Sequence, residues 1–225
     1  MRRDCSTLSG SQLAIGGVTL RKARLDAGCR RWSHCASARA AYLGDVGKVF
    51  SVIEDELVAW LSAQHLFFVA TAPSGDGGHV NCSPKGSDSF RVLGPTTVGY
   101  VDLTGSGVET IAHLRDNGRI VLMFCALEGA PRIVRLHGHG EVLRPDHAEF
   151  EGMLSRFDQR VLGVRAIVRI EVTRISDSCG FGVPTFAFEG DRETMTKWAD
   201  KKGDAGVRKY WLEKNAASLD GLPGV

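Results

Sequence analysis

Arg132-Ile-Val-Arg-Leu-His-Gly-His-Gly-Glu-Val-Leu143 decides the fold, because its polarity repeats every second residue. Val134, Leu136, Gly138 and Val142 share one face, and Arg135, His137, His139 and Glu141 share the other. Successive side chains of an extended chain point to opposite sides, so this pattern predicts a long strand with one face in a core. Working outward, residues 119–126 and 165–175 are apolar-rich runs of strand character, and shorter ones lie at 89–93 and 97–102. Residues 65–72 and 79–83 flank the turn cluster Ser74-Gly-Asp-Gly-Gly78 and predict a hairpin. Helical spacing predicts helices over 47–64, 107–116, 145–159 and 191–217. A mainly β protein of about six hairpin-connected strands with few helices is expected to curl into an antiparallel barrel, since closure removes exposed sheet edges.

Composition narrows the class. The chain has 225 residues, 43% of them hydrophobic and 24% charged, a globular balance. Mean hydropathy is −0.08, and no apolar run approaches the length of a membrane span. Charge is uneven: residues 1–43 hold eight Lys or Arg against two acids, leaving twenty against twenty-four for the rest. A weakly acidic body lacks the clustered cations of a nucleic-acid footprint. Six cysteines without a C-x-x-C pair read as reduced thiols, which fits a cytoplasmic protein. Residues 1–46 read as a basic, disordered extension that also has the composition of an organelle transit peptide. Residues 47–190 then form the barrel, and 191–225 a helical tail.

Three segments could carry chemistry. In Asn81-Cys-Ser-Pro-Lys-Gly86, Lys85 suits a phosphate or electron-rich ring oxygens, and Gly86 permits close backbone approach; a solvated turn lysine explains the same residues. In the 100–110 segment, Ser106 and Glu109 have capping-box spacing, while Thr104, Ser106 and Thr110 around a helix start offer an anion site. Arg132 opens the third segment, whose His137 and His139 suit a metal or haem, or simply a solvated strand face. Cys179 lies in the glycine loop Asp177-Ser-Cys-Gly-Phe-Gly-Val-Pro184, where packing accounts for it.

These segments, in this order, resemble the pyridoxamine 5'-phosphate oxidase-like family of flavin-binding split barrels. The likeness rests on His65-Leu-Phe-Phe-Val-Ala-Thr-Ala72, Asn81-Cys-Ser-Pro-Lys-Gly86, Arg91-Val-Leu-Gly-Pro95, Tyr100-Val-Asp-Leu-Thr-Gly-Ser-Gly107, Asn117-Gly-Arg-Ile-Val-Leu-Met-Phe124 and Ser178-Cys-Gly-Phe-Gly-Val-Pro184. It implies a six-stranded antiparallel split barrel that forms a homodimer, with FMN at the subunit interface and a small-molecule substrate. By position it assigns Ser83, Lys85, Gly86, Thr104, Ser106 and Thr110 to the flavin phosphate region and Arg132 to the isoalloxazine. Lys85 and Arg132 would then stabilise the reduced anionic flavin. Two other readings share the fold: a non-catalytic flavin- or haem-binding module, and a deazaflavin-dependent reductase. The Arg-rich segment that holds substrate phosphate in the family's oxidases has no copy after Ile175, so flavin binding is implied more strongly than oxidation of pyridoxamine phosphate.

Overall fold

The computed structural model describes residues 47–158 and 162–225. The expected disordered extension over residues 1–46 therefore lies outside the described residues. In chain order the elements are β1 (Val49–Phe50), α1 (Asp55–Ser62), β2 (Phe67–Thr71), β3 (Asn81–Lys85), β4 (Phe90–Val92), β5 (Thr97–Leu103), α2 (Glu109–Asn117), β6 (Arg119–Cys125), β7 (Ile133–Leu143), α3 (Phe150–Leu154), β8 (Val164–Ser178) and α4 (Thr194–Lys214). One antiparallel sheet runs β3-β2-β6-β7-β8-β5-β4, with β1 added along β8. Six of these strands have five or more residues; β1 and β4 are short additions.

The sheet curls until its two ends meet. Phe67 of β2 and Phe90 of β4 lie near opposite edges in hydrogen-bonding order, yet their rings are 5.6 Å apart. Phe124 packs on both, at 5.2 and 4.9 Å. Such offset and edge-on contacts add to the burial of large apolar surface. Val69, Val98, Leu122, Val134, Leu136, Val168 and Ile170 complete the interior, and Leu57 and Leu61 of α1 join it. Val134 and Leu136 therefore face inward, as the alternation of the opening stretch predicts. A second cluster lies outside the curl, where Phe150, Leu154 and Phe157 cover Val101, Leu143 and Ile167.

Helix boundaries depart from the sequence reading. The helix expected over 47–64 is confined to Asp55–Ser62, because Val49 and Phe50 pair instead with Ser176 and Ile175 of β8. Asp55 and Glu56 mark the true start, where acids complement the helix dipole. The helix expected over 145–159 contracts to five residues, and α4 is broken at Gly203, whose φ of 64° and ψ of 170° are non-helical. The long strand carries a register shift at His137/Gly138. A Cβ on Gly138 would lie 2.2 Å from the Glu171 carbonyl oxygen, so the bulge requires glycine.

Candidate functional site

The two edges of the curled sheet are joined by side chains rather than by a backbone ladder. On β3, Asn81, Ser83 and Lys85 pair with the buried Thr71, Val69 and Phe67. Residues opposite one another share a face, so all three polar side chains point inward. Across the seam, Lys85 Nζ donates to Asp102 Oδ1 at 2.8 Å, and Asn81 Nδ2 donates to Thr110 Oγ1 at 3.0 Å. Ser83 Oγ donates to Asn81 Oδ1 at 3.0 Å. Asp102 is 1% exposed and also accepts from Arg165 Nε and Nη2 at 2.9 and 2.8 Å. Arg165 spends another donor on the Gly107 carbonyl at 2.7 Å.

One carboxylate thus serves two cations, and the cluster carries one excess positive charge. Burial pushes the Asp102 carboxyl up, but Lys85 and Arg165 together overcome this and hold it below the usual aspartate range. Tyr100, two residues earlier on the same inward face, has its ring centroid 5.8 Å from Lys85 Nζ. Its hydroxyl is wholly buried, and Thr110 is the side chain it meets. Burial first, and the Asp102 charge second, keep that phenol protonated far into the alkaline range. His113 of α2 is likewise buried: its Nδ1 meets Thr71 Oγ1 at 2.9 Å, while its Nε2 has no partner among the described residues.

The expected capping box does not form. Helix α2 begins at Glu109 with Val108 at its cap, and Glu109 accepts the backbone N–H of Leu219 rather than turning back to Ser106. The expected free helix start is instead covered by residues 215–225. Asn215 Nδ2 donates to the Gly105 and Ser106 carbonyls, Asp220 accepts from His79, and Arg115 holds the Gly224 carbonyl. Thr104 is buried, donating to the Gly163 carbonyl at 2.8 Å and accepting from Trp211 Nε1. Its only donor is therefore spent. The Ser106 residue is exposed, and Thr110 faces the β3 seam.

Arg132 stands elsewhere in the same chain. Lys85 pairs with Phe67, Phe67 with Phe124, and Phe124 with Val134, so three strand spacings, roughly 14 Å, separate Lys85 from that part of β7. The Arg132 guanidinium lies over the Trp60 ring at 5.1 Å and contacts Asp177 at 3.3 Å. His137 is half-buried, and burial together with Arg174 and Arg135 lowers its pKa; His139 is exposed. No group of three or more metal-ligating side chains occurs among the described residues.

Gly86 follows Lys85 and approaches the His65 carbonyl so closely that a Cβ would lie 2.9 Å from it. It lines a cleft of about 630 Å³ shared by the end of α1, the β6–β7 connection and the segment before α4. Phe188 stacks on His65 there at 3.7 Å, and Phe186, Leu66 and Leu127 extend the apolar wall.

Residues 53–179 match the family described as Pyridoxamine 5'-phosphate oxidase. A curated relative, the pyridoxamine 5'-phosphate oxidase family protein ustO of Aspergillus flavus, is 40% identical over 192 residues, which is 78% of this chain and 77% of that one. The chain belongs to the pyridoxamine 5'-phosphate oxidase family. Among solved structures, HupZ of Group A Streptococcus is 26% identical with a TM-score of 0.44, over 60% of this chain and 99% of its own. A FAD-binding protein of Mesorhizobium loti is 18% identical with a TM-score of 0.41, over 60% and 96%.

For this pyridoxamine 5'-phosphate oxidase family member, the structure brings the sequence candidates Ser83, Lys85 and Thr110 into one cluster and adds four neighbours that the sequence reading did not single out. Asn81 and Tyr100 were legible in principle, since each lies two residues from a nominated or charged position on the same strand face. Asp102 follows from Tyr100 by the same alternation. Arg165 gives no local signal, because only the β5–β8 pairing brings it beside Asp102.

Proposed function

We propose that the chain is a flavin-dependent oxidoreductase that binds FMN and acts on a small molecule. The observation carrying this is the seam cluster: two cations share one buried carboxylate, beside the hydroxyls of Ser83, Thr110 and Tyr100. An excess positive charge of this kind, set among polar side chains, fits a phosphate monoester. The family to which the chain belongs supports the same assignment.

For the ring system, the cleft at Gly86 has a volume within the usual range of cofactor pockets and an aromatic wall. FMN, when bound, supplies hydride or electron transfer. The protein's part is to hold and orient. Lys85 neutralises and fixes the phosphate, Asp102 keeps Lys85 from swinging away, and Phe186 and Phe188 keep water from the ring. Both phenylalanines are substantially exposed, at 59% and 44%, which supports pairing of two copies over the cleft. The reading also includes a cytoplasmic setting, supported by the free thiols of Cys82, Cys125 and Cys179.

Titration of purified protein with FMN, followed by quenching of flavin fluorescence, tests the assignment. Replacing Lys85 by Ala leaves Asp102 paired with Arg165, so the barrel should persist, while FMN affinity is expected to fall about ten- to a hundredfold. Unchanged affinity would remove Lys85 from the site.

A further inference from the structure

The two carboxylate oxygens of Asp102 are divided between its cations. Lys85 Nζ donates to Oδ1, whereas Arg165 Nε and Nη2 both donate to Oδ2. An arginine paired with a carboxylate commonly forks across both oxygens through two parallel N–H bonds. Arg165 does not, and its third nitrogen gives the reason. Nη1 donates to the Gly107 carbonyl at 2.7 Å and, more loosely, to the Gly105 carbonyl at 3.5 Å. A guanidinium is planar and rigid, so a tether on Nη1 fixes where Nε and Nη2 point. Oδ1 is thereby left to Lys85.

The carbonyls of this loop are held from the other side by Asn215, which caps α4 and is 0% exposed. Its Nδ2 donates to the Gly105 carbonyl at 3.0 Å and to the Ser106 carbonyl at 3.3 Å. Its Oδ1 has no partner among the described residues, so the side chain's polar contacts there are all with the loop. The Asn215 backbone is fixed as well: its N–H donates to the Trp211 carbonyl at 2.8 Å, and its C=O accepts from the Val225 N–H at 2.9 Å. The loop it grips has an exposed serine between two glycines, a sequence of high backbone freedom. An outside anchor therefore sets where its carbonyls stand.

We propose that Asn215 is a positioning residue for the seam, deciding through the 105–107 loop how Arg165 and Lys85 divide Asp102. Without its amide the loop carbonyls recede, Arg165 turns to fork across both oxygens, and Lys85 loses its counter-charge. The consequence for FMN rests on the flavin reading, in which Lys85 holds the phosphate; the division of the carboxylate does not.

Labelling of the purified, flavin-free chain with acetic anhydride, read peptide by peptide in a mass spectrometer, reports how available the Lys85 amine is. Its side chain is 19% exposed and paired, so the wild-type rate is low. Asn215→Ala is expected to raise the Lys85 rate about tenfold, the effect of losing a charge-assisted bond, relative to the exposed Lys209. Asn215→Leu, close to asparagine in size, keeps the end of α4 packed and is expected to do the same. Trp211→Phe loosens that end of α4 by removing the bond to Thr104 instead, and is expected to leave Lys85 unchanged. In an Arg165→Lys background, where an ammonium cannot fork, Asn215→Leu is expected to add nothing. An unchanged Lys85 rate in both Asn215 variants, an equal rise in Trp211→Phe, or a further rise in the Arg165→Lys background would each overturn the proposal. FMN titration of the Asn215 variants is expected to show affinity about tenfold weaker. Wild-type protein that binds no FMN would count against the flavin reading alone, because the labelling is done without flavin.

Discussion

Asp102 shows how one buried carboxylate organises the candidate site. Replacing it by Asn would leave Lys85 and Arg165 facing each other without their shared counter-charge, and such broken buried pairs cost about 3–5 kcal/mol. Urea denaturation of Asp102→Asn at neutral pH should show a loss of that size. Because the folded-state pKa of Asp102 is lowered, its contribution is full above the unfolded value of 3.8. It fades as acid carries the pH below that value and is gone below the lowered folded one. The wild-type midpoint should therefore fall on acidification across this window more steeply than that of Asp102→Asn. Tyr100 is tested in the same assay. Tyr100→Phe removes a wholly buried hydroxyl that meets Thr110, so the flavin-free protein is expected to lose about 1 kcal/mol. FMN affinity should fall about tenfold in that variant if the hydroxyl meets the cofactor. The sequence displays Asn81, Ser83 and Lys85 as one polar strand face, but not that this face turns inward. Nothing local distinguishes a solvated polar face from one that closes a seam.

Strands and helices differ in how openly the sequence declares them. The period-two pattern of residues 132–143 and the apolar runs at 119–126 and 165–175 locate β6, β7 and β8, since alternation is imposed by the core itself. Helices were over-read at their ends. Val49 and Phe50 fit a helical period equally well and are claimed by the free flank of β8. The bulge in β7 needs its glycine: Gly138→Ala would drive a methyl group into the Glu171 carbonyl, and a loss of more than about 2 kcal/mol is expected in thermal or chemical melts. The start of α2 is held by α4 and the segment after it. Trp211→Phe removes the indole donor to Thr104, and a cost near 1 kcal/mol is expected, with faster hydrogen exchange along α4 before global unfolding.

For the whole molecule, the central fact is a sheet whose edges are joined by charged and hydroxyl side chains. A barrel closed entirely by backbone hydrogen bonds has no room for an anion at its seam. This one keeps an excess cation there, beside a buried phenol and close in sequence to an aromatic cleft. That arrangement was only partly legible beforehand, because it depends on β5 pairing with β8 and β3 meeting β5 at long range. No helix among the described residues is long and apolar enough to cross a membrane. The visible absorption spectrum of the purified protein, taken before and after incubation with FMN and gel filtration, tests the account most directly. It predicts a flavin band that co-elutes with the wild-type protein and is lost or much reduced in Lys85→Ala. Colourless wild-type protein that emerges from the column without FMN would contradict it.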